Sequence, residues 1–153
     1  MEKKLIIKNL ERKDLNHVEL LQKKNICEIK NIWNNDELNA FISKDGSYSR
    51  VAIIENKIIG FSLFFYTSEL LEVFLIFVLP DHRRNGVGRK FFSDVFILCK
   101  KKMIKRVLLE VNQNNLEAII FYESMGFKKI SVKKNYYQYK GKNFDAFVME
   151  VLI

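Results

Sequence analysis

Arg83-Arg84-Asn85-Gly86-Val87-Gly88, followed at once by Arg89, is the stretch on which the fold turns. Ahead of it, Leu70-Leu71-Glu72-Val73-Phe74-Leu75-Ile76-Phe77-Val78-Leu79 is too rich in branched and aromatic residues for a loop, and it ends at Pro80. Behind it, Phe91, Phe92, Val95, Phe96, Cys99 and Met103 recur at helical spacing. The order is strand, basic glycine loop, helix. A loop that opens a helix leaves backbone N–H groups without intrahelical partners at the positive end of the helix dipole, a setting that accepts phosphate. The same residues also suit an ordinary basic surface turn. They are not a Walker A loop, since no Gly-Lys-Ser/Thr follows, nor a dinucleotide fingerprint, since Phe91 stands at the place of the third glycine.

Toward the N-terminus, Ser47 to Glu55 and Ile58 to Tyr66 read as strands joined by a tight Asn56-Lys57 turn, which with the next strand makes an antiparallel meander. Gly60, inside the second of these, signals a bulge or a close backbone approach. Leu5-Ile6-Ile7 is a short strand. Asp14 is the expected N-cap of a first helix with Leu15, Val18, Leu20 and Leu21 on its apolar stripe. A less regular stretch from Asn25 to Trp33 leads to a second helix, capped within Asn34-Asn35-Asp36 and apolar at Leu38, Phe41 and Ile42. Trp33 is expected to staple it.

Toward the C-terminus, Arg106 to Val111 is a strand whose connection through the preceding helix makes it parallel to the strand ending at Leu79. Asn112 to Asn115 closes it. A helix over Leu116, Ala118, Ile119, Ile120, Phe121 and Tyr122 stops at Gly126, a natural C′ glycine. Phe127 to Val132 and Phe144 to Leu152 are two last antiparallel strands, linked through Asn135-Tyr136-Tyr137 and a turn over Lys140-Gly141-Lys142-Asn143. The expectation is one α/β domain over residues 1–153, a mixed and mostly antiparallel sheet with a central parallel pair and helices on both faces.

With 153 residues, 48% of them hydrophobic, the chain is long enough and apolar enough to bury a core without staples. The formal charge of +8 suits an anionic cofactor, a ribosomal or RNA surface, or solubility alone. Two histidines, His17 and His82, make a metal site unexpected, and Cys99 falls on the buried face of the third helix. The N-terminal apolar run is too short for a signal peptide, and no stretch reaches the roughly 18 apolar residues that span a membrane. A cytosolic protein with no membrane contact is expected.

Two ionisable residues sit where the parallel strands must part. Val107, Leu109 and Val111 share one face of their strand, leaving Glu110 with Leu108 on the other. A carboxylate in so apolar a strand needs a cleft or a partner: it faces a site, pairs with a cation, or lies on an exposed edge. Tyr122, twelve positions later, is either an amphipathic core residue or the second group of that site.

These residues carry a resemblance. The glycine loop opening a helix, Leu109-Glu110-Val111, Asn115, and Phe121-Tyr122-Glu123-Ser124-Met125-Gly126-Phe127, in that order, resemble the GNAT superfamily of acetyl-CoA-dependent N-acetyltransferases. Lys134-Asn135-Tyr136-Tyr137 and Asp145-Ala146 extend the likeness to bacterial enzymes that acetylate the N-terminal alanine of a small-subunit ribosomal protein. The resemblance runs from about Trp33 to Met149.

What the resemblance implies is a GNAT fold whose two parallel strands splay around acetyl-CoA. The backbone of Ile76, Phe77 and Val78 would pair with the pantetheine arm, and the Val78 amide would polarise the thioester carbonyl. Amides from Arg84, Asn85, Gly86, Val87, Gly88 and Arg89 would hold the pyrophosphate, with Arg83 at the first position of the motif. Asn115 would bind the cofactor near its thiol. Glu110 would act as base through water, and Tyr122 as acid to the leaving thiolate. Transfer would be direct, without a nucleophilic Cys27 or Cys99. Tyr136 and Tyr137 either grip a peptide acceptor or merely pack. The acceptor implied is a protein N-terminus such as that of a ribosomal protein, with no nucleic acid required. A small-molecule amine, a polyamine, a lysine side chain and a non-catalytic RNA- or protein-binding role are the alternatives. Leu75, Phe77 and Leu79 depart from the family's usual residues, and Phe77 would narrow whichever face it points to.

Overall fold

A computed structural model describes residues 4–25 and 31–153. Its elements are β1 (Ile6–Asn9), α1 (Leu15–Lys24), α2 (Asn35–Ile42), β2 (Ser47–Ile54), β3 (Lys57–Tyr66), β4 (Leu70–Val78), α3 (Val87–Lys102), β5 (Arg106–Asn112), α4 (Leu116–Ser124), β6 (Lys128–Tyr139) and β7 (Lys142–Leu152). Among the described residues the strands form one seven-stranded sheet in the order β1-β2-β3-β4-β5-β7-β6, mostly antiparallel, with β4 parallel to β5. This is the α/β class the sequence predicts. Contacts divide the chain into two compact units. One runs to Phe65 and takes in Phe74–Phe91; the other comprises Tyr66–Val73 and Phe92–Ile153.

In the first unit, Glu55 and Asn56 both take left-handed backbone angles (φ 49° and 62°) between the paired Ile54 and Lys57. That is the geometry of a primed two-residue turn. The turn therefore sits one residue earlier than predicted, because Glu55 accepts a conformation its side chain disfavours. Ala52 pairs with Gly60 but Ile53 with Ile58, so Ile59 is an extra residue and β3 bulges beside Gly60.

The unit's core gathers Leu15, Val18, Leu38, Phe41, Val51, Phe61, Leu63 and Phe77. Trp33 packs edge-on against Phe41 at 5.3 Å and Phe74 at 6.4 Å. Buried Gln22 holds it there, accepting from the Trp33 N–H and donating to its carbonyl, each at 2.9 Å. Asn34 and Glu37 cap α2 reciprocally, as a capping box. Asp14 stands at the N-cap of α1 without capping it, since its carboxylate accepts from the Lys8 Nζ and the Glu11 N–H instead. Leu20, expected on the buried stripe, is exposed. Cys27 lies outside the described residues.

In the second unit, Leu70 to Val73 pair in parallel register with Arg106 to Leu109. β4 continues to Val78 and β5 to Asn112. The predicted alternation on β5 holds: Val107, Leu109 and Val111 are buried, while Leu108 and Glu110 are half-buried. α4 ends in a Schellman motif, with Phe127 N–H donating to the Tyr122 carbonyl and Gly126 N–H to that of Glu123. Gly126 has φ 93°, which explains the glycine. Met103 does not extend the stripe of α3. It lies past the helix at φ 56°, 80% exposed, and Ile104 is buried instead. β6 reaches Tyr139 rather than stopping at Val132, and Lys140-Gly141 forms the turn into β7 at φ 48° and 72°.

Candidate active site

The donor-side candidates lie in the first unit, Asn115 excepted. After β4 a short 3-10 turn, Pro80–His82, leads to Arg83, whose Nε donates to the Val78 carbonyl at 3.0 Å. Arg83 thus ties the loop to the end of the strand, with its guanidinium 6.0 Å from the centroid of the Phe77 ring. Arg84 and Gly86 take positive φ (61° and 79°), and Arg84, Asn85, Gly86 and Arg89 are exposed. Val87 is buried and anchors the first turn of α3, where the Lys90 N–H returns to the Gly86 carbonyl at 3.0 Å. The N–H groups ahead of Lys90 lie in the turn that has no earlier helical carbonyl to use. That is the chemistry of an anion cradle.

Ile76 and Val78 are half-buried. The Phe77 side chain is 5% exposed and packs 6.2 Å from Phe61, so its bulk goes into the core. Gly60 supports this segment from β3: a Cβ there would meet the Phe77 carbonyl oxygen at 2.6 Å and the Val78 Cα at 3.2 Å. Nothing larger than hydrogen fits without shifting the strand.

The acid–base and acceptor-side candidates lie in the second unit. Glu110 of β5 receives the Lys133 ammonium of β6 on its Oε1. The Tyr136 phenol also hydrogen-bonds to Glu110, which holds that phenol above its ordinary range, with burial and the carboxylate charge adding to the effect. Burial pushes Tyr137 up to about 12, helped by the charges of Glu110 and Tyr136. Tyr122 is also pushed up to about 12, again by burial first and then by Tyr137. Its ring is held among Phe92, Phe121 and Phe127, at centroid distances of 6.0, 5.5 and 5.9 Å. A phenol raised this far keeps its proton throughout the neutral range. Asn115 caps α4, its Oδ1 accepting from the Ala118 N–H at 3.2 Å. Cys99 is buried and its thiol is pushed up to about 11, which leaves little thiolate for nucleophilic work.

Tyr136 and Tyr137 are not in a loop. Lys133 pairs with Ala146 and Tyr137 with Phe144, so Lys134, Asn135 and Tyr136 all oppose the single residue Asp145. This enlarged bulge is pinned by the Asp145 carboxylate, which accepts from the Asn135 N–H at 3.0 Å and the Lys134 Nζ at 2.9 Å. Those two bonds hold Asp145 below the usual carboxylate range. Asn135, at φ 52°, takes the strained position. Lys133, which engages Glu110, carries no signal of its own in the sequence, and Asp145, which enters there only through the family likeness, shapes the strand bearing the tyrosines. The β6–β7 alternation around Ala146 could have shown Lys133 on the Glu110 face.

Residues 13–127 match the acetyltransferase (GNAT) family. The chain is 30% identical over 115 residues, 74% of its length and 78% of the other's, to "[Ribosomal protein bS18]-alanine N-acetyltransferase" of Escherichia coli K12. Among solved structures it resembles the Escherichia coli ribosomal-protein-S18-alanine N-acetyltransferase, with TM-score 0.87 at 24% identity, covering 98% of this chain and 94% of that one. It also resembles Arabidopsis thaliana NAA60 in complex with acetyl-CoA, with TM-score 0.86 at 16% identity, covering 98% and 99%. No helix is long and apolar enough to cross a membrane among the described residues.

Proposed function

Since the chain belongs to the acetyltransferase (GNAT) family, we propose that it is an enzyme that moves the acetyl group of acetyl-CoA directly onto the α-amino group of a protein N-terminus, a ribosomal protein being the leading acceptor. The observation that carries this is the cluster in the second unit: the carboxylate of Glu110, hydrogen-bonded by Tyr136, whose ring stands 5.0 Å from that of Tyr137, together with the phenol of Tyr122, which burial keeps protonated. The name of the Escherichia coli relative supports the choice of acceptor.

In this reading the amides opening α3 hold the pyrophosphate, and Ile76, Phe77 and Val78 offer backbone groups to the pantetheine arm. The amine lone pair attacks the thioester carbon, the C–S bond breaks, and Glu110 takes the proton lost by the amine, directly or through water. Tyr122 donates toward the departing thiolate. A thiol has a pKa near 8.5, so full transfer from a phenol near 12 is uphill by about 5 kcal/mol. Tyr122 therefore acts mainly as a hydrogen-bond donor while negative charge develops on sulfur.

The amine itself favours an N-terminus. An α-amino group near pKa 8 is roughly a tenth free base at pH 7, and a lysine lies about 2.5 units higher, or about 3.4 kcal/mol. A single carboxylate base suits the former. One observation favours a second reading: the ε-ammonium of Lys133 already reaches Glu110, so a lysine side chain fits there. The two readings are separated by a panel of Ala-, Ser- and Met-initiated peptides run beside an N-blocked peptide with an internal lysine and a polyamine, monitored by CoA release. Turnover of the free N-termini is expected; turnover of the blocked peptide or the polyamine alone contradicts it.

A further inference from the structure

Lys133 deserves a role of its own. It pairs with Ala146 on β7, which pairs in turn with Asn112 on β5, while Glu110 pairs with Val148. Directly paired and alternate residues share a sheet face, so Lys133 and Glu110 lie on the same side, two residues apart along the strands. Lys133 sits opposite the small, buried Ala146, and its ammonium reaches the Glu110 carboxylate and lies 4.9 Å from the centroid of the Tyr136 ring. A carboxylate and an aromatic face together are what recognises a primary ammonium.

Resting on the function proposed above, we propose that Lys133 is an internal competitor: its ammonium occupies the place the acceptor's ammonium takes, and acceptor binding requires it to swing away. The side chain of Lys133 is 47% exposed and that of Glu110 29%, so the pair is well solvated and readily opened. Like charge keeps two ammonium groups from sharing the carboxylate closely. Lys133 then sets how much acceptor is needed to fill the site. It is a positioning residue and takes no proton from the substrate.

The test is steady-state kinetics of the purified full chain with saturating acetyl-CoA and an Ala-initiated peptide, comparing wild type with Lys133→Met, Lys133→Arg and Glu110→Gln. Lys133→Met keeps the stem and removes the charge. It is expected to lower the peptide KM by about two- to fivefold, the range an exposed ion pair allows, and so to raise kcat/KM. Lys133→Arg, which keeps the charge, is expected to stay near the wild-type KM. A merely structural role would raise KM or leave it unchanged in Lys133→Met, and either result overturns the competitor. Slow turnover by Glu110→Gln supports the catalytic reading independently of Lys133. Wild-type turnover by Glu110→Gln removes the carboxylate from the reaction, and the competitor falls with it.

Discussion

Gly60 lies so close to Phe77 that a Cβ built on it would stand 2.6 Å from the Phe77 carbonyl oxygen. The contact links a glycine beside the bulge of β3 to the backbone proposed to carry the pantetheine arm. Gly60→Ala has to push Phe77 and Val78 aside, an overpacking that costs about 1–3 kcal/mol. A melting temperature lower by several degrees is expected, with a raised KM for acetyl-CoA and a smaller change in the peptide KM. An unaltered melt together with an unaltered acetyl-CoA KM would show that the strand absorbs the methyl group.

Tyr122→Phe keeps the ring among Phe92, Phe121 and Phe127 and deletes only the hydroxyl. Because the phenol is pushed up to about 12, it supplies a hydrogen bond rather than a facile proton. The expected loss in kcat is about a hundredfold, toward the low end for acid–base groups, with the acetyl-CoA KM nearly constant. A wild-type kcat would exclude Tyr122 from the chemistry.

Burial of Tyr122 and Tyr137 also links stability to alkaline pH. Both phenols sit at about 12 in the folded chain against the ordinary value of 10.0. Between those values the unfolded chain has released protons that the folded chain retains, so stability falls as pH rises. The contribution is complete below pH 10 and disappears as pH passes about 12. Thermal melts across this window should decline, and Tyr122→Phe should decline less steeply than wild type. Equal slopes would mean that Tyr122 ionises as it does in the unfolded chain.

Asp145→Ala releases both the Asn135 N–H and the Lys134 ammonium, and with them the bulge that presents Tyr136. The peptide KM should rise several-fold while the acetyl-CoA KM holds. In wild type the same carboxylate is held below its ordinary value, so its contribution is present above that value and is lost as pH falls through the folded one. A KM effect on acetyl-CoA alone would contradict the acceptor-side placement.

Much of this was legible in the chain because the signals are local. The apolar run of β4, the glycines of the loop and the stripe of α3 lie within about one turn or one strand of each other, and periodicity reads at that range. The errors have local causes too. Glu55 takes a left-handed conformation that a glutamate rarely marks, and Met103 continues the helical spacing after the helix has ended. What could not be read is the tertiary pairing. Lys133 and Glu110 are separated by 23 residues and by a whole strand, and Asp145 reaches Asn135 from 10 residues away. From sequence alone, Glu110 is compatible with a cleft, an ion pair and an exposed edge; the ion pair is present, and its partner is the half-exposed Lys133.

The central claim, acetylation of an α-amine, is tested most directly by intramolecular competition. A single peptide with a free N-terminal alanine and one internal lysine is incubated with acetyl-CoA and the enzyme, and the modified position is read by fragment mass spectrometry. The prediction is one acetyl group on the N-terminal nitrogen, with CoA released in equal amount. Acetyl on the lysine with the N-terminus left free would contradict it.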